Sequence, residues 1–326
     1  MNILVTGAAG YIGSIVTEQL LSQGHRVIAL DNLQQGHREA VADEAIFVQA
    51  DLGDSEALAA LFSRYAVESV MHLAAETVVE ASMTDPAKFF RTNVLYGINL
   101  LDTMLRHNVN RLVFSSTAAV YGEPETFPVA ESHPLQPVNA YGESKLMFER
   151  VLRWYGQAYG LRSLSLRYFN AAGASERYGC DRRPATHLIP IVLNVASGRG
   201  DAVSVYGTDY DTRDGTCVRD YIHVLDIAAA HLLALEHLDR PGNRAYNLGN
   251  GQGYSVLEVI EAARRVTGIG IPFRACLRRA GDPAALVASS ARARSELGWQ
   301  PKYADLESII ESAWRWQGEH PQGYRS

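Results

Sequence analysis

The sequence predicts an α/β protein built on a doubly wound parallel sheet, with a smaller second α/β lobe. Through about residue 170, short apolar or β-branched runs alternate with longer stretches of helical period, which is the rhythm of βαβ units. After Asn170 this rhythm is lost, and Gly, Pro, Arg and Asp are mixed as far as about residue 216. A chain of 326 residues, 47% of them hydrophobic, is long enough to bury a core in each of two lobes.

The individual elements follow in order along the chain. Six runs predict the strands of the main sheet, at residues 3–6, 26–30, 46–50, 69–74, 111–115 and 163–168, and two later runs indicate strands near 218–224 and 245–248. The first helix has Ile12, Val16 and Leu20 at four-residue spacing and ends before Gly24, where a left-handed residue is favoured. We predict that residues 1–169 and 217–250 form one lobe, and residues 170–216 and 251–326 the other.

Composition narrows the class of partner. The formal net charge of -6 is spread without acidic or basic runs, which argues against a nucleic-acid-binding surface and favours a small molecule. Cys180, Cys217 and Cys276 are an odd number without CxxC spacing, so neither a disulfide framework nor a metal site is predicted. No stretch approaches the roughly 18 apolar residues of a membrane span. We therefore expect a cytoplasmic protein that binds no membrane.

A glycine-rich turn after the first strand predicts a dinucleotide site. Gly7, Gly10 and Gly13 form a GxxGxxG loop that opens a helix, where the backbone can approach a pyrophosphate closely. The second strand ends at Asp31, whose carboxylate can accept both hydroxyls of an adenosine ribose. Because Asp31 would repel a 2′-phosphate, NAD is favoured over NADP. The sheet is accordingly predicted to be of the Rossmann type.

Other strand ends predict further residues of this crevice. The third strand is followed by Asp51 and Leu52, and the fourth by Leu73, Ala74 and Ala75. Polar or small residues at the carboxyl ends of parallel strands face the crevice in which ligands bind. We therefore assign these residues to the cofactor site.

A catalytic group is predicted where the fifth strand ends. Tyr141 and Lys145 are four residues apart in a helical stretch, so their side chains lie on one face. We expect the Lys145 charge and an oxidised nicotinamide to lower the pKa of Tyr141 toward about 7. Ser115, Ser116 and Thr117 stand at the carboxyl end of the fifth strand, where a hydroxyl can hold the reacting oxygen. With the dinucleotide fold, such a hydroxyl, Tyr141 and Lys145 make up the triad of the short-chain dehydrogenases.

Further motifs accompany the triad along the chain. They are TGAAGYIGS at 6–14, DNL at 31–33 with Gly36-His37, FSST at 114–117, VYG at 120–122, YFN at 168–170, YGTDY at 206–210, DGT at 214–216 and RDYIHV at 219–224. Over nearly the whole chain, these blocks resemble the UDP-glucose 4-epimerases of the extended short-chain dehydrogenase/reductase family. The resemblance implies NAD-dependent epimerisation of a UDP-sugar, with NAD staying bound, by a homodimer.

The resemblance also implies roles for individual residues. It implies catalysis by Thr117, Tyr141 and Lys145, with Tyr141 and Lys145 also touching NAD. The other implied NAD contacts are Tyr11, Ile12, Asp31, Asn32, Asp51, Leu52, Thr92 and Phe169. Besides Thr117 and Tyr141, the implied UDP-sugar contacts are Asn170, His187, Leu188, Tyr206, Arg219, Arg279, Asp282 and Leu286.

Alternative functions remain open at the level of the sequence. Leu286 stands where the resemblance implies a size gate beside the sugar, so UDP-N-acetylhexosamines, UDP-glucuronate and UDP-pentoses stay possible substrates. A nucleotide-sugar 4,6-dehydratase would need an acid pair where Ala118 and Ala119 stand. A non-catalytic NAD-binding sensor would not require Tyr141 with Lys145. Of these readings, epimerisation of UDP-glucose and UDP-galactose accounts for the most residues.

Overall fold

Strands form the frame of the molecule in the computed structural model, which describes residues 1–279 and 282–324. In chain order they are β1 (Asn2–Thr6), β2 (Arg26–Asp31), β3 (Ile46–Gln49), β4 (Ser69–His72), β5 (Arg111–Thr117), β6 (Arg162–Tyr168), β7 (Asn170–Ala172), β8 (Val203–Tyr206), β9 (Val218–Arg219), β10 (Tyr221–His223), β11 (Asn243–Leu248), β12 (Tyr254–Ser255), β13 (Phe273–Cys276) and β14 (Ala285–Leu286).

Helices occupy most of the connections between these strands. They are α1 (Tyr11–Ser22), α2 (Ser55–Arg64), α3 (Val79–Thr84), α4 (Pro86–Phe90), α5 (Tyr96–Arg106), α6 (Ala140–Tyr159), α7 (Leu188–Ala196), α8 (Val224–Glu236), α9 (Val256–Thr267), α10 (Ala291–Leu297) and α11 (Leu306–Glu319). A π-helical turn, Arg91–Leu95, joins α4 to α5. Among the described residues, none of the helices is both long and apolar enough to cross a bilayer.

The central sheet is parallel and has the order β11-β6-β5-β4-β1-β2-β3. Leu4 of β1 pairs with Ile28 on one side and with Val70 on the other. From β1 the strand order runs to β2 and β3 on one side, and to β4, β5 and β6 on the other. This reversal of strand order opens a crevice at the carboxyl end of β1. The predicted fold class is confirmed.

Both faces of the sheet are covered by helices, because successive side chains of a strand point to opposite faces. Ile3 and Val5 lie in one cluster with residues of α1 and α8. Leu4 lies in the other, with residues of α2, α5 and α6. These strand side chains are all 0% exposed, as expected for a parallel sheet buried on both faces.

A separate apolar cluster forms the core of the smaller lobe. Helices α7, α9 and α11 pack there around β8, whose Val203 and Val205 are fully buried. Strand β8 pairs with β13, while β9 lies between β12 and β14. Strand β9 belongs to a sheet of this lobe, and only one residue separates it from β10. Strand β10 pairs with β7, which follows β6 of the main sheet. The two cores are thus connected at the end of the main sheet.

Candidate active site

In the glycine-rich turn between β1 and α1, two glycines are required by close packing and one borders an open space. A Cβ on Gly7, which has φ +72, would lie 2.6 Å from the Ala74 nitrogen, and one on Gly13 would lie 2.0 Å from the Gly7 oxygen. These two glycines are therefore needed for packing. By contrast, a Cβ on Gly10 would approach only the Gly7 oxygen, at 3.3 Å. The space beside Gly10 is left open for a ligand.

This open space lies at the beginning of α1. Gly10 precedes the helix without a side-chain cap, and the first turn, from Tyr11 and Ile12, contains no acidic residue. Its free N–H groups and the positive end of the helix dipole suit a pyrophosphate. The Tyr11 hydroxyl donates to the Gly173 oxygen at 2.5 Å, so this turn is also tied to the segment after β7. The residues present fit a dinucleotide.

The ends of β2 and β3 form the adenosine side of the crevice. Asp31 is 7% exposed, and its two carboxylate oxygens accept from the Ala9 and Leu33 N–H groups at 3.0 and 2.8 Å. Burial raises the pKa of Asp31, and these backbone donors oppose that rise. The Asn32 amide donates to Asp51 at 2.7 Å, and Leu52 is buried next to it. The structure thus brings together four residues that were predicted to contact NAD, and Asp31 is the one predicted to bind the adenosine ribose.

The turn after β4 lies against the glycine loop. The Leu73 N–H donates to the Thr6 oxygen at 3.1 Å, and the Ala74 N–H to the Thr6 hydroxyl at 3.3 Å. Ala75 continues this turn. Thr92 is half-buried in the π-helical turn, next to Asn93, whose side chain holds the Glu76 backbone at 2.8 and 3.0 Å.

The triad residues meet where β5 ends. Helix α6 begins after Asn139, whose side chain accepts from the Gly142 N–H at 2.8 Å, and this places Tyr141 in the first turn. Lys145 lies one turn later, is 3% exposed, and donates to the Ser115 oxygen at 2.9 Å. Thr117, the last residue of β5, is 9% exposed. The helix is therefore held against the strand end that carries the predicted hydroxyl.

The pKa of Tyr141 is raised, and is not lowered toward about 7 by Lys145 as the sequence predicted. Burial raises the pKa of Tyr141, and the groups that oppose this are the Thr117 hydroxyl, by hydrogen bonding, and the Arg182 charge. Burial also lowers the pKa of Lys145 to about 7, an effect that Glu149 partly offsets. Arg182 is thus a cation near the phenol that sequence reasoning missed.

The predicted substrate residues lie mainly on the second lobe. Arg219 forms an ion pair with Asp282 and stands opposite Leu286 in the β9 and β14 pairing. The Arg279 guanidinium lies 3.9 Å from the centre of the Tyr206 ring. Tyr206, Arg219 and Leu286 thus lie on strands of the second lobe, whereas Arg279 and Asp282 lie between β13 and β14, and Arg219 is held by a carboxylate.

The remaining substrate residues lie nearer the triad or at the start of α7. The Asn170 amide donates to the Asp220 oxygen at 3.0 Å. Phe169 and Leu286 belong to one apolar cluster with Ala118, the residue after Thr117. His187 precedes α7 and Leu188 begins it. A cavity of about 860 Å³ has both His187 and Tyr11 in its lining.

Sequence reasoning also missed a buried polar network behind the triad. Glu149 lies on the same face of α6 as Tyr141 and Lys145, at successive four-residue steps. It accepts from Arg167 at 2.9 Å, and Arg167 in turn donates to the Tyr121 hydroxyl at 2.9 Å. The helical spacing is a signal that could have identified Glu149.

Comparisons with known proteins agree with this geometry. The model of the NAD dependent epimerase/dehydratase family matches residues 3–249. The chain belongs to this family. It is 51% identical to the UDP-glucose 4-epimerase of Halalkalibacterium halodurans, over 99% of this chain and 98% of that protein.

Solved structures of epimerases resemble this member of the family throughout. The UDP-glucose 4-epimerase from Brucella ovis in complex with NAD is 45% identical with a TM-score of 0.93, covering 96% of this chain and 97% of that one. The enzyme from Bifidobacterium longum in complex with NAD+ and UDP is 37% identical with a TM-score of 0.95, covering 99% and 100%. The predicted family, enzyme class and cofactor are confirmed, while the roles of single residues stay predictions.

Proposed function

We propose that this protein interconverts UDP-glucose and UDP-galactose by inverting the C4 hydroxyl of the sugar, with NAD as its cofactor. The observation that carries the proposal is the group formed by the buried Thr117 and Lys145 and the half-buried Tyr141 at the end of β5, beside the open glycine loop of β1. A phenol, a hydroxyl and a lysine in this place serve proton transfer at a secondary alcohol. They have no evident use in a protein that only senses NAD.

The chain's own residues carry the proton. Tyr141 takes the proton of the C4 hydroxyl as the phenolate and later returns it to the same oxygen, while Thr117 holds that oxygen in place. Because burial raises the pKa of Tyr141, the phenolate depends on nearby positive charge, which Arg182 provides and an oxidised nicotinamide would add. NAD bound beside the glycine loop would supply reversible hydride transfer at C4, from one face of the carbon and back to the other. One proton and one hydride leave and both come back, so the reaction has no net redox change.

The second lobe is proposed to hold the UDP part. Arg219 and Arg279 can each donate to diphosphate oxygens, as guanidinium groups do in bidentate pairs. The Asp282 carboxylate orients Arg219, and the Tyr206 ring supports Arg279. Because the substrate is anchored through its nucleotide, the 4-keto sugar can turn between the two hydride transfers. Residues 1–169 and 217–250 are proposed to bind NAD, and residues 170–216 and 251–326 the UDP-sugar, with the exception that Arg219 serves the UDP-sugar because β9 pairs with β12 and β14.

The site favours epimerisation over dehydration. Ala118 and Ala119 follow Thr117 in a short 3-10 helix, so these positions provide no acid for the elimination of water. Leu286 packs beside Phe169 and Ala118, and its side chain limits the room next to the sugar. UDP-N-acetylhexosamines, UDP-glucuronate and UDP-pentoses belong in the same substrate panel.

We further propose a cytoplasmic homodimer. The surface of α5, α6 and the adjoining π-helical turn exposes Leu95, Met147 and Trp154, at 52%, 37% and 62%. Large apolar side chains gathered on one face suit contact with a second copy of the chain. All three cysteines are free, which suits a reducing compartment.

A direct assay tests the proposed reaction. Purified protein mixed with UDP-galactose should form UDP-glucose without added reductant. The Tyr141→Phe variant should lose about 10²- to 10⁴-fold in kcat, because it cannot accept a proton. Tyr155→Phe is the matched control, since this tyrosine lies on the same helix and bonds Asp102 at 2.6 Å, away from the triad. Turnover by Tyr141→Phe at the parental rate would exclude the mechanism.

A further inference from the structure

Arg182 lies in the loop between β7 and α7, residues 173–187, and reaches across to the main lobe. Its Nη2 atom donates to Gln35 Oε1 at 2.7 Å and to Thr77 Oγ1 at 2.8 Å. Gln35 follows Asp31 and Asn32 at the end of β2, whereas Thr77 belongs to the turn after β4. One guanidinium nitrogen therefore joins two loops on either side of the cofactor crevice.

The two loops joined by Arg182 are also connected to each other. The Gln35 amide nitrogen donates to Glu76 Oε2 at 2.7 Å. Glu76 is 7% exposed and forms an ion pair with Lys88 at 2.8 Å. Gln35 thus accepts from Arg182 and donates to Glu76, so both ends of its amide are used. The arginine completes a polar bridge whose far end is the ion pair between the buried Glu76 and the exposed Lys88.

The 173–187 loop is attached to the cofactor side at further points. The Asp181 backbone oxygen lies 3.1 Å from His37 Nε2, and its carboxylate lies 3.6 Å from the same atom. At the beginning of the loop, the Gly173 oxygen accepts from the Tyr11 hydroxyl. The loop therefore runs from the first turn of α1 to the loop after β2, alongside the residues assigned to NAD.

We propose that Arg182 is a latch that fastens the 173–187 loop across the cofactor crevice and slows the release of NAD. The inference rests on the proposed function in one respect, namely that NAD stays bound between turnovers. NAD in this crevice leaves only if the loops after β2 and β4 part from the second lobe. Charge-assisted hydrogen bonds from a half-buried arginine oppose that opening. Arg182 is thus a positioning residue for the 173–187 loop, in addition to the positive charge that it places near Tyr141.

The latch is tested by the rate at which NAD leaves the holoenzyme. Gel-filtered protein with a known NAD content is diluted into buffer containing an alcohol dehydrogenase and ethanol, which consume free NAD, and the reduced product is followed by absorbance. Arg182→Met should release NAD at least about tenfold faster, because it loses both charge-assisted hydrogen bonds, to Gln35 and to Thr77. Arg182→Lys keeps a donor and should recover part of the parental rate. Arg177→Met is the control, because Arg177 lies in the same loop but pairs with Glu44 at 3.8 Å.

A second variant removes an acceptor and keeps the arginine. Thr77→Val should also speed the release of NAD. The double variant with Arg182→Met should release NAD no faster than Arg182→Met alone, because both substitutions remove the same hydrogen bond. Release from Arg182→Met at the parental rate, or additive effects of the two substitutions, would overturn the latch. A protein that retains NAD yet converts no UDP-hexose would contradict the proposed reaction and leave the latch standing. The two failures are therefore distinguishable.

Discussion

At the scale of single residues, Lys145 is the most unusual group of the site. Its ammonium is 3% exposed, donates to the Ser115 oxygen and lies 4.8 Å from the centre of the Phe114 ring. These partners are neutral and do not replace the lost hydration fully, so burial lowers the pKa of Lys145 to about 7. The protein thereby holds a lysine that changes charge near neutral pH, at some expense of stability.

This shift predicts how stability depends on pH. Between the folded pKa of about 7 and the ordinary lysine pKa of 10.5, the unfolded chain binds more protons at this lysine, so the free energy of unfolding rises with pH. Below about pH 7 the lysine is protonated in both states and its contribution is constant. The difference between the parental protein and Lys145→Met should therefore change by up to about 1.4 kcal/mol per pH unit in this window.

Urea unfolding of NAD-free protein, followed by circular dichroism from pH 6 to 10, measures this difference. Lys302→Met is the control, because the Lys302 side chain is exposed. Equal slopes for the parental protein and Lys145→Met would contradict the assigned burial of the ammonium.

At the scale of elements, the turn before α1 contains two kinds of glycine. The packing of the fold requires Gly7 and Gly13, whereas Gly10 leaves space for a ligand. Gly10→Ala has room in the protein and an extended backbone, so we expect its unfolding free energy to fall by no more than about 1 kcal/mol. The added methyl would instead occupy the approach to the pyrophosphate, and NAD affinity should fall at least about tenfold.

Calorimetric titration of NAD into NAD-free protein measures that affinity, and thermal unfolding measures the stability. Gly270→Ala serves as the control, because a Cβ there meets nothing within 4 Å. Gly13→Ala should lose both properties, since its Cβ would lie 2.0 Å from the Gly7 oxygen. Unchanged NAD binding by Gly10→Ala would show that the pyrophosphate lies elsewhere.

Elements also show what the sequence could and could not predict. The six predicted strands of the main sheet begin and end within two residues of β1 to β6, because buried parallel strands are continuous apolar runs bounded by polar turns. The triad was predictable because helical spacing is local. Arg182 was not, since its partners Gln35 and Thr77 are 147 and 105 residues away along the chain. The π-helical turn at Arg91–Leu95 has no pattern of its own in the sequence.

At the scale of the whole molecule, the proposed homodimer can be tested through one exposed side chain. Trp154 is 62% exposed and lies on the same face of α6 as Met147, seven residues earlier. Trp154→Arg would place a charge in the apolar contact, so we expect a shift from dimer to monomer in sedimentation velocity runs. Ile269→Arg is the control, because this exposed residue follows α9 on the other lobe. A parental protein that sediments as a monomer would refute the dimer.

The pairing of β11 with β6 has a consequence for how the protein is made. Residues 243–248 complete the edge of a sheet whose preceding strand ends at Tyr168, and the whole second-lobe segment 170–216 is synthesised between them. Until residues 243–248 have been synthesised, the backbone edge of β6 that pairs with β11 has no partner strand. Nascent chains released before residue 248 are thus the ones most exposed to self-association and in greatest need of a chaperone.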